Sequence, residues 1–536
     1  MLSLVALLAA VWLAWKVVRS FFARSPLDKL RGPPPASYLT GNLGQLMDRQ
    51  GWDFHSGIAE EYGPVVKISG LFSKPWLYIY DPLALQHILR DNQTYDELPW
   101  YLQSNCMMLG PGILSVTGDM HRRQRKMLTP VFSARHLKEL VPIFYQVTHK
   151  LVDAISSRVP ADAHDVDVLG WMGRAALELI GQTGIGHSFD PLTEDVADAY
   201  ADAVKNFAPE ATSSEMMLLR QATPFVGSLG PACIRRWILE RLPFRSLKNM
   251  IHISDTLHLR SSEIFREKKL FLEADKTDAS DIMSILLRAN READADDRLT
   301  DDQLLGQMSS ILFAAMDTTA NAMSRILHLL AQHPTVQEKL RREVVEARAC
   351  GDLDYDKLHA LPYLDAVCRE TLRLYAPAPQ TFRGAMKDAV LPLSRPIRAA
   401  DGSAVNQLVI PQGTNIVIGI MASNRDKVLW GDDAHEWKPE RWLQPLPEAL
   451  EQAAIPGVYS HLMTFLGGVR SCVGFAFSQL EMKVVISELL ANFSFELSDK
   501  PVYWNLSGIT YPSSSLESTK SELWLKVRPL PVNARS

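Results

Sequence analysis

Near its C-terminal end the chain reads Phe465-Leu466-Gly467-Gly468-Val469-Arg470-Ser471-Cys472-Val473-Gly474. Gly468 and Gly474 let the backbone turn tightly around Cys472 and leave amide groups free to face the sulfur. Those amides, and the charge of Arg470 two residues away, favour the ionised thiol. A soft thiolate in such a loop suits iron. The bland reading is a buried cysteine in a glycine turn, and a bare Cys-x-Gly would not exclude it.

A second group of reactive types is Ala314-Ala315-Met316-Asp317-Thr318-Thr319, in the middle of a long apolar helical pattern. Small residues followed by an acid and two hydroxyls are an unusual choice for the centre of a buried helix. The bland reading is an unrelated ion pair and a threonine bonded back to its own helix. The third is Gly118-Asp119-Met120-His121-Arg122-Arg123-Gln124-Arg125-Lys126, where His121 and Arg125 share one helix face and could hold an anion. In the fourth, Glu370-Thr371-Leu372-Arg373, the spacing puts acid and base on one face as a pair.

These groups need elements to hold them. Thr300 and Gln303 form a capping box, with Asp301 and Asp302 in the first turn. The helix they open runs to Leu330, ahead of Pro334, or roughly 45 Å. Most of Ser133–Tyr375 is helical in pattern, and the charged neighbourhood Glu273–Asp297 is expected to contain an exposed loop. Strand-like runs occur at Val65–Ile68, Trp76–Tyr80 and Leu408–Pro411. The expectation is one mainly α unit with a small β lobe.

Composition sets the bounds. The 536 residues are 47% hydrophobic, which supplies a large core and excludes a disordered or fibrous chain. A net charge of −5 gives no global attraction to nucleic acid or to anionic lipid. The five cysteines (Cys106, Cys233, Cys350, Cys368 and Cys472) are odd in number and lack Cys-x-x-Cys spacing. They read as neither a disulfide framework nor a zinc site, and four of them as small core residues.

Residues 1–22 predict an N-terminal transmembrane anchor of roughly 30 Å, about the thickness of the bilayer core. A cleaved signal peptide is the rival. Lys16, Arg19, Arg24, Lys29 and Arg31 all follow the apolar run, which favours an uncleaved anchor with the body in the cytosol. Residues 23–45, basic and rich in proline from Pro33 to Pro35, read as a stiff hinge, and residues 46–536 as the catalytic domain.

The C-terminal segment resembles, at every defined position, the Phe-x-x-Gly-x-Arg-x-Cys-x-Gly haem loop of the cytochrome P-450 family. Four further segments are similar to that family's motifs and stand in its order. Glu370 to Arg373 resembles the Glu-x-x-Arg helix. Trp437-Lys438-Pro439-Glu440-Arg441-Trp442 resembles Pro-Glu-Arg-Phe, with tryptophan in place of phenylalanine, which implies a triad of Glu370, Arg373 and Arg441. The Asp317-Thr318 segment resembles the oxygen-binding helix, with Ala315 where the family usually has glycine and a methyl narrowing the groove. The helix of His121 and Arg125 resembles Trp-x-x-x-Arg, with histidine in the tryptophan place.

The resemblance spans about Pro33 to Leu525 and implies the cytochrome P-450 fold, a single large domain enclosing haem b. It implies Cys472 as iron ligand, with Phe465 in the same loop, and His121, Arg125, Arg470 and Arg383 toward the haem propionates. Thr318 would hydrogen-bond bound oxygen while Asp317 relays protons. Electrons would come from NADPH through a separate flavoprotein reductase, with cytochrome b5 as a further donor. No Gly-x-Gly-x-x-Gly fingerprint follows a strand here. Arg122, Arg123 and Lys126 would face that acidic donor.

The implied activity is monooxygenation of a lipophilic molecule (a terpenoid, fatty acyl or aromatic metabolite) at the endoplasmic reticulum membrane, with terpenoid-like secondary metabolism the favoured setting. By position the pocket would draw on 101–115, 311–315, 376–382 and 507–511, with Met107, Met108, Leu109, Ile113, Leu312, Phe382 and Ile509 making it apolar. Two alternatives stay open. A haem-thiolate isomerase or dehydratase needs neither reductase nor acid-threonine pair; a haem- or ligand-binding membrane protein turns nothing over.

Overall fold

The computed structural model describes residues 25–531, apart from 161, 194–198, 228–229, 274–279 and 460. The anchor expected at 1–22 lies outside the described residues. Among the described residues no helix is long and apolar enough to cross a membrane.

The hinge is docked rather than free-standing. Pro26–Lys29 forms a short 3-10 turn capped by Ser25, and Leu27 and Leu30 are buried. The Arg31 carbonyl accepts from the Lys67 amide at 2.9 Å, and that of Lys29 from Ala400 at 2.7 Å.

Five strands form the main sheet: β1 (Val65–Ser69), β2 (Pro75–Ile79), β3 (Tyr95–Asp96), β4 (Thr381–Ala385) and β5 (Asn415–Ile418), in the order β1-β2-β5-β4-β3. β2 and β5 run parallel and the other pairs antiparallel. β1 and β2 are buried almost throughout, which is why their sequences are apolar runs rather than alternations. All three expected strands are present, the third as Ala404–Ile410 in a hairpin with Ala389–Arg398.

The rest is mainly helical. The site draws on α1 (Pro99–Leu109), α2 (Gly118–Leu128), α3 (Val168–Ile180), α4 (Ala199–Ala211), α5 (Ser214–Gln221), α6 (Asp301–Gln332), α7 (Pro362–Leu374) and α8 (Phe475–Asn492). α6 packs against α3, α4, α7 and α8, and so forms the spine of the molecule. Its capping box forms as expected, with both Thr300 and Gln303 side chains bonded. The charged stretch expected to contain an exposed loop has one, a mostly exposed turn at 293–298 that follows a helix, Ile282–Glu292. Its N-cap Asp281 and buried Ile282, Met283 and Leu286 supplied the helical signal that the surrounding charge concealed. Of the four cysteines read as core, only Cys368 is buried; Cys106, Cys233 and Cys350 are exposed.

Candidate active site

Cys472 sits in the turn that leads into α8. Gly468 has φ +67°, and a Cβ there would lie 2.1 Å from the Leu89 carbonyl oxygen, so only glycine fits. Gly474 differs from the expectation. Its φ is −93°, and a Cβ would meet nothing closer than 3.8 Å, so its backbone needs no special freedom. Its role is polar: the Gly474 amide hydrogen-bonds the Cys472 sulfur. The positive charge nearest in effect is Arg125 on α2 rather than Arg470, which pairs with Asp96 at 3.1 Å. Arg125 also holds the loop by donating to the Ser471 hydroxyl at 2.8 Å.

Burial pushes the Cys472 thiol above its ordinary value, and the Gly474 amide and Arg125 offset only part of that. The loop therefore does not ionise the sulfur unaided, and a cation bonded to it would. Cys472 keeps exposed surface and lines a large internal cavity.

Behind the loop stands a dry ionic scaffold. Glu370 and Arg373 pair at 2.8 Å with both side chains at 0% exposure, and Arg441 reaches Glu370 at 3.4 Å. Arg373 also donates to the carbonyls of Asn424, Ala434 and Glu436. The tryptophan that departs from Pro-Glu-Arg-Phe has a use: Trp442 Nε1 donates to Glu370 at 3.0 Å. The Lys438 amide donates to the other carboxylate oxygen, so every lone-pair direction is met. The scaffold also reaches the cysteine loop: Asn424 Nδ2 donates to the Thr464 hydroxyl at 2.9 Å, and that hydroxyl donates to the Leu372 carbonyl of α7.

Beside the cavity the structure gathers basic side chains, of which Arg470 lines it. His121 is buried, and its pKa is pushed down to about 3, first by burial and then by Arg470, Arg125 and Arg383. Arg383 on β4 is 2% exposed and pairs with Glu97 at 2.8 Å. Its Nη2 is buried without a hydrogen-bond partner. All four expected anion-binding residues thus influence one another, and one retains an unused buried donor. That donor set, beside a sulfur needing a cation, fits a haem with its propionates. The acids Asp96 and Glu97 beside β3 left no signal in the sequence, because their partners lie more than two hundred residues away. Of the exposed basic residues on α2, Arg122 pairs with Asp119 at 3.1 Å and Lys126 with Asp297 at 2.8 Å.

The cavity is about 390 Å³ and is roofed by the centre of α6. Ala314 and Thr318 line it; Ala315 does not, and packs partly buried against the core. The groove is therefore set by Ala314, and the methyl of Ala315 does not narrow it. Thr318 donates its hydroxyl proton to the Ala314 carbonyl at 2.7 Å. Asp317, next in the chain but about 100° around the helix, faces another way. It floors a second cavity of about 330 Å³ with Lys205 and the Arg174–Asp190 pair. Burial raises its pKa to about 7, with Lys205 and Asn321 partly opposing.

Each of the four expected substrate-facing stretches contributes to the lining. Of the named residues, Leu109, Phe382 and Ile509 line the cavity, whereas Met108, Ile113 and Leu312 are buried in the core. Met107 is 41% exposed and points elsewhere, because α1 turns it away from the face that carries Leu109. The α4–α5 region went unread in the sequence; it contributes Phe207, Ala208, Thr212, Met217 and Arg220.

The comparisons with known proteins agree with this geometry. The family model for cytochrome P450 matches residues 31–516. Cytochrome P450 monooxygenase 91 of Postia placenta is 49% identical over 535 residues, covering 98% of each chain. Cytochrome P450 monooxygenase 81 of the same fungus is 47% identical, covering 95% of this chain and 94% of its own. A ganoderic acid synthetase of Ganoderma lucidum is also 47% identical, covering 99% of each chain. A cysteine in a glycine turn, a buried Glu-x-x-Arg scaffold behind it and similarity over nearly the full length to these proteins make the chain a member of the cytochrome P450 family.

Proposed function

We propose that this monooxygenase oxidises a lipophilic small molecule of terpenoid-like secondary metabolism, with electrons from NADPH delivered by a separate flavoprotein reductase. The observation that carries the reading is one apolar cavity lined by both Cys472 and Thr318, so a substrate held there lies between the sulfur loop and the hydroxyl. Haem, when bound at Cys472, supplies reductive activation of O2 and transfer of one oxygen atom to the substrate.

The chain's own residues do the rest. Cys472 supplies the soft anionic donor, and Arg125 and the Gly474 amide steady its charge. His121, Arg125, Arg383 and Arg470 orient the cofactor through its acidic edge. The apolar lining excludes water from the reacting region. Asp317 takes protons from the polar second cavity and Thr318 presents them to the cavity that Cys472 lines. Asp317 and Thr318 thus face different cavities about 100° apart around one helix, and the proton path passes between them.

The chain works at the endoplasmic reticulum membrane, held by residues 1–22, with residues 46–536 as the cytosolic catalytic domain. Support comes from the charge-free start of the sequence and from an exposed apolar corner beside the hinge. Tyr38 is 70% exposed and Leu39 55%, and both lie against the loop of Phe72, itself 45% exposed. The name of the Ganoderma relative supports the terpenoid class.

The test is turnover of a terpenoid panel by the full-length haem protein with reductase, NADPH and isotopically labelled O2. The proposal expects labelled product that requires both NADPH and reductase. Unlabelled product formed without electrons would instead favour a rearranging or dehydrating enzyme.

A further inference from the structure

Among the described residues two arginines line the cavity: Arg470 is paired with the Asp96 carboxylate, and the second is Arg220. Arg220, at the end of α5, is 4% exposed. Its Nε donates to the Ser104 hydroxyl at 2.8 Å, one Nη to the Asn105 side-chain carbonyl at 2.9 Å, and the other to the Ala211 carbonyl at 3.3 Å. Its guanidinium lies over the rings of Tyr101 and Trp100, at 5.0 and 5.6 Å. All of these partners are neutral. Among the described residues no carboxylate pairs with Arg220.

A buried cation without an anion is costly, and three hydrogen bonds to neutral groups and two aromatic faces offset only part of that cost. Three of its five N–H groups are committed, which fixes the plane of the guanidinium and leaves one free N–H on each Nη. The adjacent Trp100 lines the same cavity, and its Nε1 is buried without a partner. A fixed planar cation with spare donors, in an otherwise apolar chamber, matches a planar monoanion on a hydrocarbon body.

We propose that the substrate is a lipophilic carboxylic acid, whose carboxylate is held by Arg220 while its hydrocarbon body extends toward Cys472. The inference rests on the monooxygenase reading and adds a substrate class to it. Arg220 is a specificity-determining residue, remote in sequence from every motif that carries the chemistry. Asn105 and Ser104 position it by bonding two of its nitrogens.

The test uses matched carboxylic acid, methyl ester and alcohol forms of one diterpenoid, one triterpenoid and one straight-chain skeleton. Each is titrated into the full-length haem protein near neutral pH, with displacement of the iron's water read as a spin-state shift. On at least one skeleton the acid should bind at least about tenfold more tightly than its ester. Arg220→Met should abolish that preference and Arg220→Lys should keep part of it. Equal binding of acid and ester, an undiminished preference in Arg220→Met, or no shift with any acid would overturn the proposal. The wild-type comparison stands even if a variant fails to fold. A folded protein without a haem spectrum would contradict the monooxygenase reading instead.

Discussion

The two sides of the cysteine loop are built on opposite principles. Behind it, Glu370, Arg373 and Arg441 form a scaffold in which each buried charge has its partner, within a span of 72 residues and on neighbouring elements. In front of it the cavity is apolar, is assembled from stretches between Leu46 and Ile509, and leaves polar groups such as Arg220 and Trp100 Nε1 incompletely satisfied. A fully satisfied network rigidifies and holds one geometry, whereas unsatisfied groups are available to a ligand. The first side keeps the sulfur in place; the second selects what approaches it.

The largest expected effect is at the boundary between the two. Cys472→Ala should abolish haem-dependent turnover, because no other side chain at the loop offers a soft anion; full turnover by the variant would break the account. Next is the scaffold itself. Glu370→Ala leaves Arg373 buried without its anion and should cost about 3–5 kcal/mol in denaturation of the holoprotein. A cost below about 1 kcal/mol would mean the pair behaves like a surface ion pair.

On the distal side the effect is one of pH. Asp317 titrates near 3.8 when unfolded and about 7 when folded, so the folded state holds its proton more tightly. The stabilisation this gives is complete below about 4 and is lost as the pH rises toward 7. Asp317→Asn should remove that slope from the stability profile and flatten the pH dependence of product formed per NADPH near 7. Profiles that superimpose on the wild type would remove Asp317 from the proton path. The smallest effect is Trp442→Phe, which restores the family's usual residue but deletes a hydrogen bond to the buried Glu370 carboxylate. It should lower stability by about 1.5 kcal/mol, and a neutral or stabilising result would show that the bond contributes nothing.

The contrast also explains what the sequence revealed. The scaffold and the sulfur loop depend on short spacings, so Glu370 with Arg373 and Gly468 with Cys472 could be read as units. The capping box at Thr300 was legible for the same reason, being a contact across three residues. Readings that required three-dimensional proximity fared less well. The charge beside Cys472 comes from Arg125 rather than its neighbour Arg470, and the groove beside Thr318 is set by Ala314 rather than Ala315. Met107 and Leu312 have apolar side chains in the right stretches but on the wrong helix faces. Nothing local marks Arg220: its partners Ser104 and Asn105 lie 116 and 115 residues away.

The most direct measurement of the central claim is the absorption spectrum of the purified full-length chain, reduced and exposed to carbon monoxide, with haem content determined on the same sample. The account predicts stoichiometric haem and the strongly red-shifted band of a thiolate-ligated, carbon monoxide-bound iron. A folded chain without haem, or a haem band characteristic of a nitrogen ligand, would contradict the assignment of Cys472 as the iron ligand.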